Sequence, residues 1–144
     1  MAGGVGAGKS FSTARKADAY SATENGLGWI IGPSYELARP EFDYLYVPYA
    51  DLGMVAPGAS LNARGSCKFV MTPDWGGFTW VTKSSTELET LAGRRPDIII
   101  VTEAAQHPSG IRQKVEERAA ERRAPIIYSG TFEGAHGWYA EQWE

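Results

Sequence analysis

An α/β fold of three layers, a mostly parallel sheet flanked by helices, is predicted for this 144-residue chain. Three observations predict it. The run "DIIIVTE", Asp97 to Glu103, is apolar without polar alternation, so its strand is covered on both faces, as in a parallel sheet. Short apolar runs alternate with helix-like segments along the chain, the pattern of βαβ units. A glycine-rich stretch near the start leads straight into an Ala-rich, helix-like segment.

The elements follow in order. Lys9 to Thr23 reads as a helix, free of Gly and Pro and stopped by Asn25-Gly26. "GWIIGP", Gly28 to Pro33, is an apolar run bounded by breakers and reads as a buried strand. Glu36 to Tyr46 reads as a helix in which Pro40 sets a start or a kink. Tyr49 to Ser66, with Pro57 and three glycines, reads as a loop. "CKFVMT" and "FTWVTK" flank "PDWGG" and read as a hairpin. After the Ile/Val run, "SGIRQKVEERAAERR" reads as a helix with Ser109 as N-cap and with Ile111, Val115 and Ala119 on one face. "PIIYSGT" is another short buried strand, and "GWYAEQWE" begins a last helix.

Composition bounds the function. The chain is 43% hydrophobic and 22% charged, with a formal charge of −3. That is a folded domain rather than a disordered segment, and it argues against a strongly basic nucleic-acid-binding module. The single cysteine, Cys67, excludes an intrachain disulfide and fits a reducing compartment. No apolar run approaches the ~20 residues of a membrane span, and no signal-peptide pattern opens the chain.

The glycine-rich stretch is "GGVGAGKS", Gly3 to Ser10, which fits the phosphate-binding (Walker A) pattern G-x-x-x-x-G-K-[ST]. A phosphate needs several N–H donors converging on one point. Glycines let the backbone come close, and a helix start adds free N–H groups and a positive dipole end. Gly3, Gly4, Val5, Gly6, Ala7, Gly8, Lys9, Ser10 and Phe11 are therefore the candidate ATP-binding residues. Lys9 would reach the β- and γ-phosphates, and the Ser10 hydroxyl would ligate Mg²⁺. The predicted fold is thus P-loop NTPase-like. Only Met1 and Ala2 precede the first glycine, too few for the strand that leads into such a loop. The expectation is one truncated domain over residues 1–144, lacking that strand, with a less rigid loop and reduced nucleotide affinity.

A hydrolytic site of this kind also needs a carboxylate near Mg²⁺ and another to activate water. Ile98-Ile99-Ile100-Val101-Thr102-Glu103 supplies the apolar strand and then one acid. Glu103 stands where the water-activating acid belongs. Thr102 stands where a magnesium-side Asp would be, and its neutral hydroxyl predicts weaker metal binding or slower hydrolysis. Ser10, Thr102 and Glu103 are the candidate metal-site residues.

"GGVGAGKS", "GWIIGPSYELARPEFDYLY", "DIIIVTEAAQ" and "IIYSGTFEGAHGWYAEQWE" stand in the order seen in the ATPase domain of phage large terminase subunits, the motors that drive viral DNA into a capsid. The chain resembles that family from Gly3 to Glu144, least between Tyr49 and Thr90. The resemblance implies that Thr131, in the Gly-Thr element, senses the γ-phosphate and couples its state to DNA movement. It implies double-stranded DNA, the small terminase subunit and the portal as partners, homo-oligomer formation, and action in the cytoplasm of a bacterial host as a viral or prophage protein. The catalytic set it implies is Lys9, Glu103 and Thr131.

The chain departs from the family's pattern at several positions. Thr102 replaces an acid, Phe132 stands where Pro often follows the Thr, and Gly6 and Ala7 fill the region where many members carry an Arg. Arg94 and Arg95 are candidates to act on a neighbouring subunit, against a simpler placement as solvated loop residues. No nuclease domain is expected, since the chain ends at Glu144. Two rival readings remain beside the motor. One is a nucleotide-binding or interaction module with little or no hydrolysis, and the other is a helicase-like P-loop ATPase.

Smaller signals carry less. Glu103 and His107 are four apart, but no second His completes H-E-x-x-H, so a surface or loop position is expected for His107. His136 lies in a Gly-rich turn with no chemical role expected. Cys67 is expected in a buried strand. Trp75, Phe78 and Trp80 are expected to pack in the hairpin, with base stacking as the rival use. Arg64, Lys68 and Lys83, in the same region, would make any phosphate contact salt-sensitive.

Overall fold

The computed structural model describes residues 13–90 and 94–130. Six strands form the sheet: β1 Leu27–Gly32, β2 Ser60–Leu61, β3 Cys67–Val70, β4 Thr79–Ser84, β5 Ile98–Val101 and β6 Ile126–Tyr128. Their order is β2-β3-β4-β1-β5-β6. β4, β1, β5 and β6 are parallel, and β2 and β3 extend one edge antiparallel. Three helices of the described residues cover the sheet: α1 over residues 13–17, α2 Tyr35–Asp51 and α3 Ile111–Ala120. This is the α/β architecture that the sequence predicts.

β5 shows why the Ile/Val run has no polar alternation. Ile98 and Ile100 point into the core under α1 and α2. Ile99 and Val101 point into the core under α3. All four are fully buried. The short β6 follows the α3 crossover and pairs with β5 from Ile99↔Ile126 to Val101↔Tyr128.

α1 is shorter than the helix predicted to run to Thr23. Helical geometry stops at residue 17, a turn follows, and a single 3₁₀ turn covers Tyr20–Ala22. Tertiary hydrogen bonds compete with the helix here. The Tyr49 hydroxyl donates to the Asp18 carboxylate and accepts from the Ser21 hydroxyl at 3.2 Å. The Trp80 indole Nε1 donates to the same Ser21 oxygen at 2.9 Å. Asp and Ser side chains engaged in this way favour turns over helix. Burial and the Asp18 bond together push the Tyr49 phenol well above its ordinary value.

α2 is longer than predicted. It starts one residue after Ser34, whose Oγ accepts from the Leu37 N–H at 3.2 Å. It runs through both Pro40 and Pro48. A proline cannot donate to the carbonyl four residues back. The carbonyl freed by Pro48 is that of Tyr44, and the Arg15 guanidinium of α1 donates to it at 2.8 Å. Tertiary contact thus satisfies the broken rung, which is why the helix continues. Its buried face, Ala38, Glu41, Phe42, Leu45 and Tyr49, packs on the sheet. The Phe42 ring meets Phe69 edge-on at 5.3 Å between centroids.

The hairpin forms as predicted, with β3 and β4 antiparallel around the Pro73–Trp75 turn. Gly76 closes that turn at φ 90, a conformation that favours glycine. Cys67 is buried in β3. Phe78 and Trp80 are fully buried, whereas Trp75 is 47% exposed. At α3 the N-cap is Gly110 with no side-chain cap, not Ser109, while Ile111, Val115 and Ala119 are its buried face as predicted. The last predicted helix lies outside the described residues.

One glycine is fixed by close packing. A Cβ on Gly28 would collide with the Trp80 ring, touching three of its carbons. Gly28→Ala is therefore expected to destabilise the fold by about 1–3 kcal/mol, the usual cost of overpacking. Urea unfolding followed by tryptophan fluorescence reads this as a lowered midpoint.

Candidate functional site

The four parallel strands all end on one edge, and ligands of open α/β sheets bind beyond such an edge. Thr102 and Glu103 follow β5 there. Ser129 and Gly130 follow β6. The Thr102 N–H donates to the Ile31 carbonyl of β1 at 2.9 Å, and the Ser129 N–H donates to the Val101 carbonyl at 2.8 Å. Ala104 N–H donates to the Ser129 carbonyl at 2.9 Å. The ends of β1, β5 and β6 are thereby tied together, and the turn after β5 is tied to the chain on either side.

Among the described residues of this edge, Glu103 carries the one backbone irregularity. It adopts φ 52 and ψ 48, the left-handed region that residues with a side chain rarely occupy. Its half-buried side chain accepts from Gln106 Nε2 at 3.0 Å, and its carbonyl accepts from the Gln106 N–H at 2.9 Å. Thr102 is 3% exposed, so the threonine beside the acid is enclosed and neutral.

His107 lies in the loop after β5, one of the two placements expected for it, but it is only 6% exposed, because the 3₁₀ turn Ala104–Gln106 folds it back under β5. Its Nε2 lies 2.9 Å from the Thr102 carbonyl. Burial pushes its imidazole below the ordinary value, against the opposing pull of that carbonyl and of Glu103.

A second carboxylate lies nearby. Glu41 of α2 is fully buried, and Ser129 Oγ donates to its Oε1 at 3.4 Å. The sequence contains a sign of it. The spacing Ala38, Glu41, Phe42, Leu45 places Glu41 inside the apolar stripe of a helix, where a carboxylate needs polar partners. Nothing in the sequence pattern marks Ser129 or His107.

α1 has a direction that matters. Arg15 reaches Tyr44, while Asp18 and Ser21 reach Tyr49 further along α2. The two helices therefore run in the same sense. α2 begins just beyond the carboxyl end of β1 and packs back along β1 and β4. The amino end of α1 is thus directed at the sheet edge that carries Glu103 and Ser129. Thr13 and Ala14, at that end, are fully buried.

Residues Gly3, Gly4, Val5, Gly6, Ala7, Gly8, Lys9, Ser10 and Phe11, and Thr131, lie outside the described residues, as does His136. Of the predicted site, the structure places Thr102 and Glu103 together. Arg94 and Arg95 sit at the opposite, amino end of β5. Arg94 bonds the Asn25 carbonyl and lies 3.8 Å from Asp97, and Arg95 pairs with Glu121 at 3.2 Å. The burial of Phe78 and Trp80 leaves them no face for a base. Lys68 and Lys83 line a shallow groove of about 230 Å³ with Arg94 and Trp29, the Lys83 ammonium 5.9 Å from the centre of the Trp29 ring. Arg64 is exposed. No cluster of three or more His, Cys, Asp or Glu that could hold a metal occurs among the described residues.

No family model matches the chain, and no curated protein matches it. Solved structures do. The large terminase ATPase domain of Thermus phage P74-26 superposes with a TM-score of 0.63 at 19% identity, over 96% of this chain. An Arg→Ala mutant of that domain gives 0.62 at 21% identity, again over 96%. The fold is that of a phage large terminase ATPase domain. This chain spans 60% of the length of those two terminase chains. Within the terminase fold, Glu103 closes the strand next to central β1, and the buried Ser129–Glu41 contact sits one strand further out. No helix of the described residues is long and apolar enough to cross a membrane.

Proposed function

We propose that this chain is the ATPase domain of a terminase-type motor, binding Mg-ATP and coupling its hydrolysis to movement of double-stranded DNA. The observation that supports the reading best is the terminase ATPase fold with Glu103 in a constrained turn at the edge where its parallel strands end. Such an edge is where open α/β sheets bind ligands, and a carboxylate there can accept a proton from an attacking water.

In this reading Gly3 to Phe11 wrap the phosphates and Lys9 neutralises their charge. Glu103 orients water, and Thr131 reports the γ-phosphate. The donors available to a magnesium ion are hard oxygens, the kind it prefers: the Ser10 hydroxyl, Glu103 and, beside it, Thr102. With one carboxylate at the strand end, the phosphates themselves would hold most of the metal. Double-stranded DNA, a small terminase subunit and a portal are the partners proposed, in the cytoplasm of a bacterial host.

Phosphate release measured with and without double-stranded DNA tests the motor directly. Lys9→Ala is expected to abolish the thermal protection that Mg-ATP confers. Unchanged protection would remove the loop from the site. A second reading, a nucleotide-binding module with little turnover, is favoured by the neutral, enclosed Thr102. ATP protection without phosphate release would select it, and under the motor reading Thr102→Asp should raise Mg²⁺ affinity.

A further inference from the structure

We propose that His107 is a positioning residue whose ring holds Glu103 in its left-handed conformation. The proposal rests on the ATPase reading for what Glu103 does, but the clamp itself is a matter of geometry.

A glutamate does not adopt φ 52 and ψ 48 unaided, since its Cβ crowds the backbone there. Something must hold the peptides on either side. On the downstream side, the Ala104 N–H is fixed to the Ser129 carbonyl. On the upstream side, the Thr102 N–H is fixed to Ile31, and the Thr102 carbonyl is met by the His107 ring at 2.9 Å. His107 also closes the turn through its own backbone, its N–H donating to the Ala104 carbonyl at 3.4 Å. One residue thus grips the chain just before Glu103 with its side chain and just after it with its main chain.

The state of the ring follows from its surroundings. A carbonyl oxygen only accepts, so Nε2 carries the proton. Nδ1 is then an acceptor, and it is buried with no hydrogen-bond partner among the described residues. A buried acceptor without a partner is unfavourable. As a space filler, an aliphatic side chain would serve this pocket better than imidazole. What imidazole adds is the single N–H aimed at Thr102.

Two variants separate the clamp from simple packing. His107→Gln keeps a donor that can reach the Thr102 carbonyl, and His107→Leu fills the space without one. The first readout is a double-mutant cycle in urea. His107→Leu is expected to lower the unfolding midpoint in the wild-type background. In the Glu103→Gly background its effect should shrink by at least half, because glycine needs no holding there. Equal shifts in both backgrounds would mean that His107 merely packs, and the proposal would fall. The second readout is steady-state ATP hydrolysis. His107→Leu is expected to lower kcat about tenfold with KM within twofold, and His107→Gln to recover most of it. If Gln and Leu are equally impaired, the hydrogen bond is not the cause and the proposal fails. If the wild-type chain hydrolyses no ATP, the ATPase reading fails, while the urea cycle still decides the role of His107.

Discussion

Glu103→Gln is expected to lower ATP turnover by about 10²–10⁴-fold, the usual contribution of a general base, and to leave the thermal protection by Mg-ATP in place. The substitution removes the proton acceptor and keeps the side chain's shape. Gln has the shape of Glu, keeps an oxygen that can accept from Gln106, and meets the same backbone demand at φ 52. The turn is held by bonds from Thr102, Ala104 and Gln106 that do not involve the carboxylate charge. Fold stability should therefore change little. A coupled assay for phosphate and a melting curve with nucleotide, run on the same preparation, separate chemistry from binding. Turnover that survives the substitution unchanged would show that another group activates the water.

Trp80→Ala is expected to have the largest effect on stability, about 3–5 kcal/mol. Against a typical total of about 5–15 kcal/mol, this leaves a marginal domain. Trp80 is fully buried, meets the Phe78 ring at a tilt of 50° with 5.2 Å between centroids, and donates to Ser21 at 2.9 Å. Its loss opens a cavity against Gly28 and takes away the indole N–H that Ser21 Oγ accepts. The glycine supplies an internal control. Gly28→Ala should be destabilising in the wild-type chain, yet harmless or mildly favourable once Trp80 is Ala, since the added methyl then enters vacated space. Additive shifts in the urea midpoint would contradict the packing described for this pair.

Much of the architecture could be read from residue patterns. The Ile98–Val101 run called for a strand covered twice, and its side chains alternate between two cores. The hairpin was written in β-branched and aromatic residues around Pro73 and Gly76. Helix ends were less legible because tertiary contacts decide them. α1 stops early where Tyr49 and Trp80 capture Asp18 and Ser21. α2 outlasts Pro48 because Arg15 takes up the carbonyl that proline cannot serve. At the site, the strand end with Thr102 and Glu103 was visible as a pattern. The left-handed turn was not, because Glu carries no preference for it. The burial of His107 within its loop was hidden for the same reason, since only the fold of the turn carries it inward.

The Arg15–Tyr44 contact has a mechanical consequence. Two helices packed only by greasy side chains can slide past each other in small steps. Here one cation is pegged into a gap in the neighbour's ladder, and such a peg holds the two helices in one register at that point.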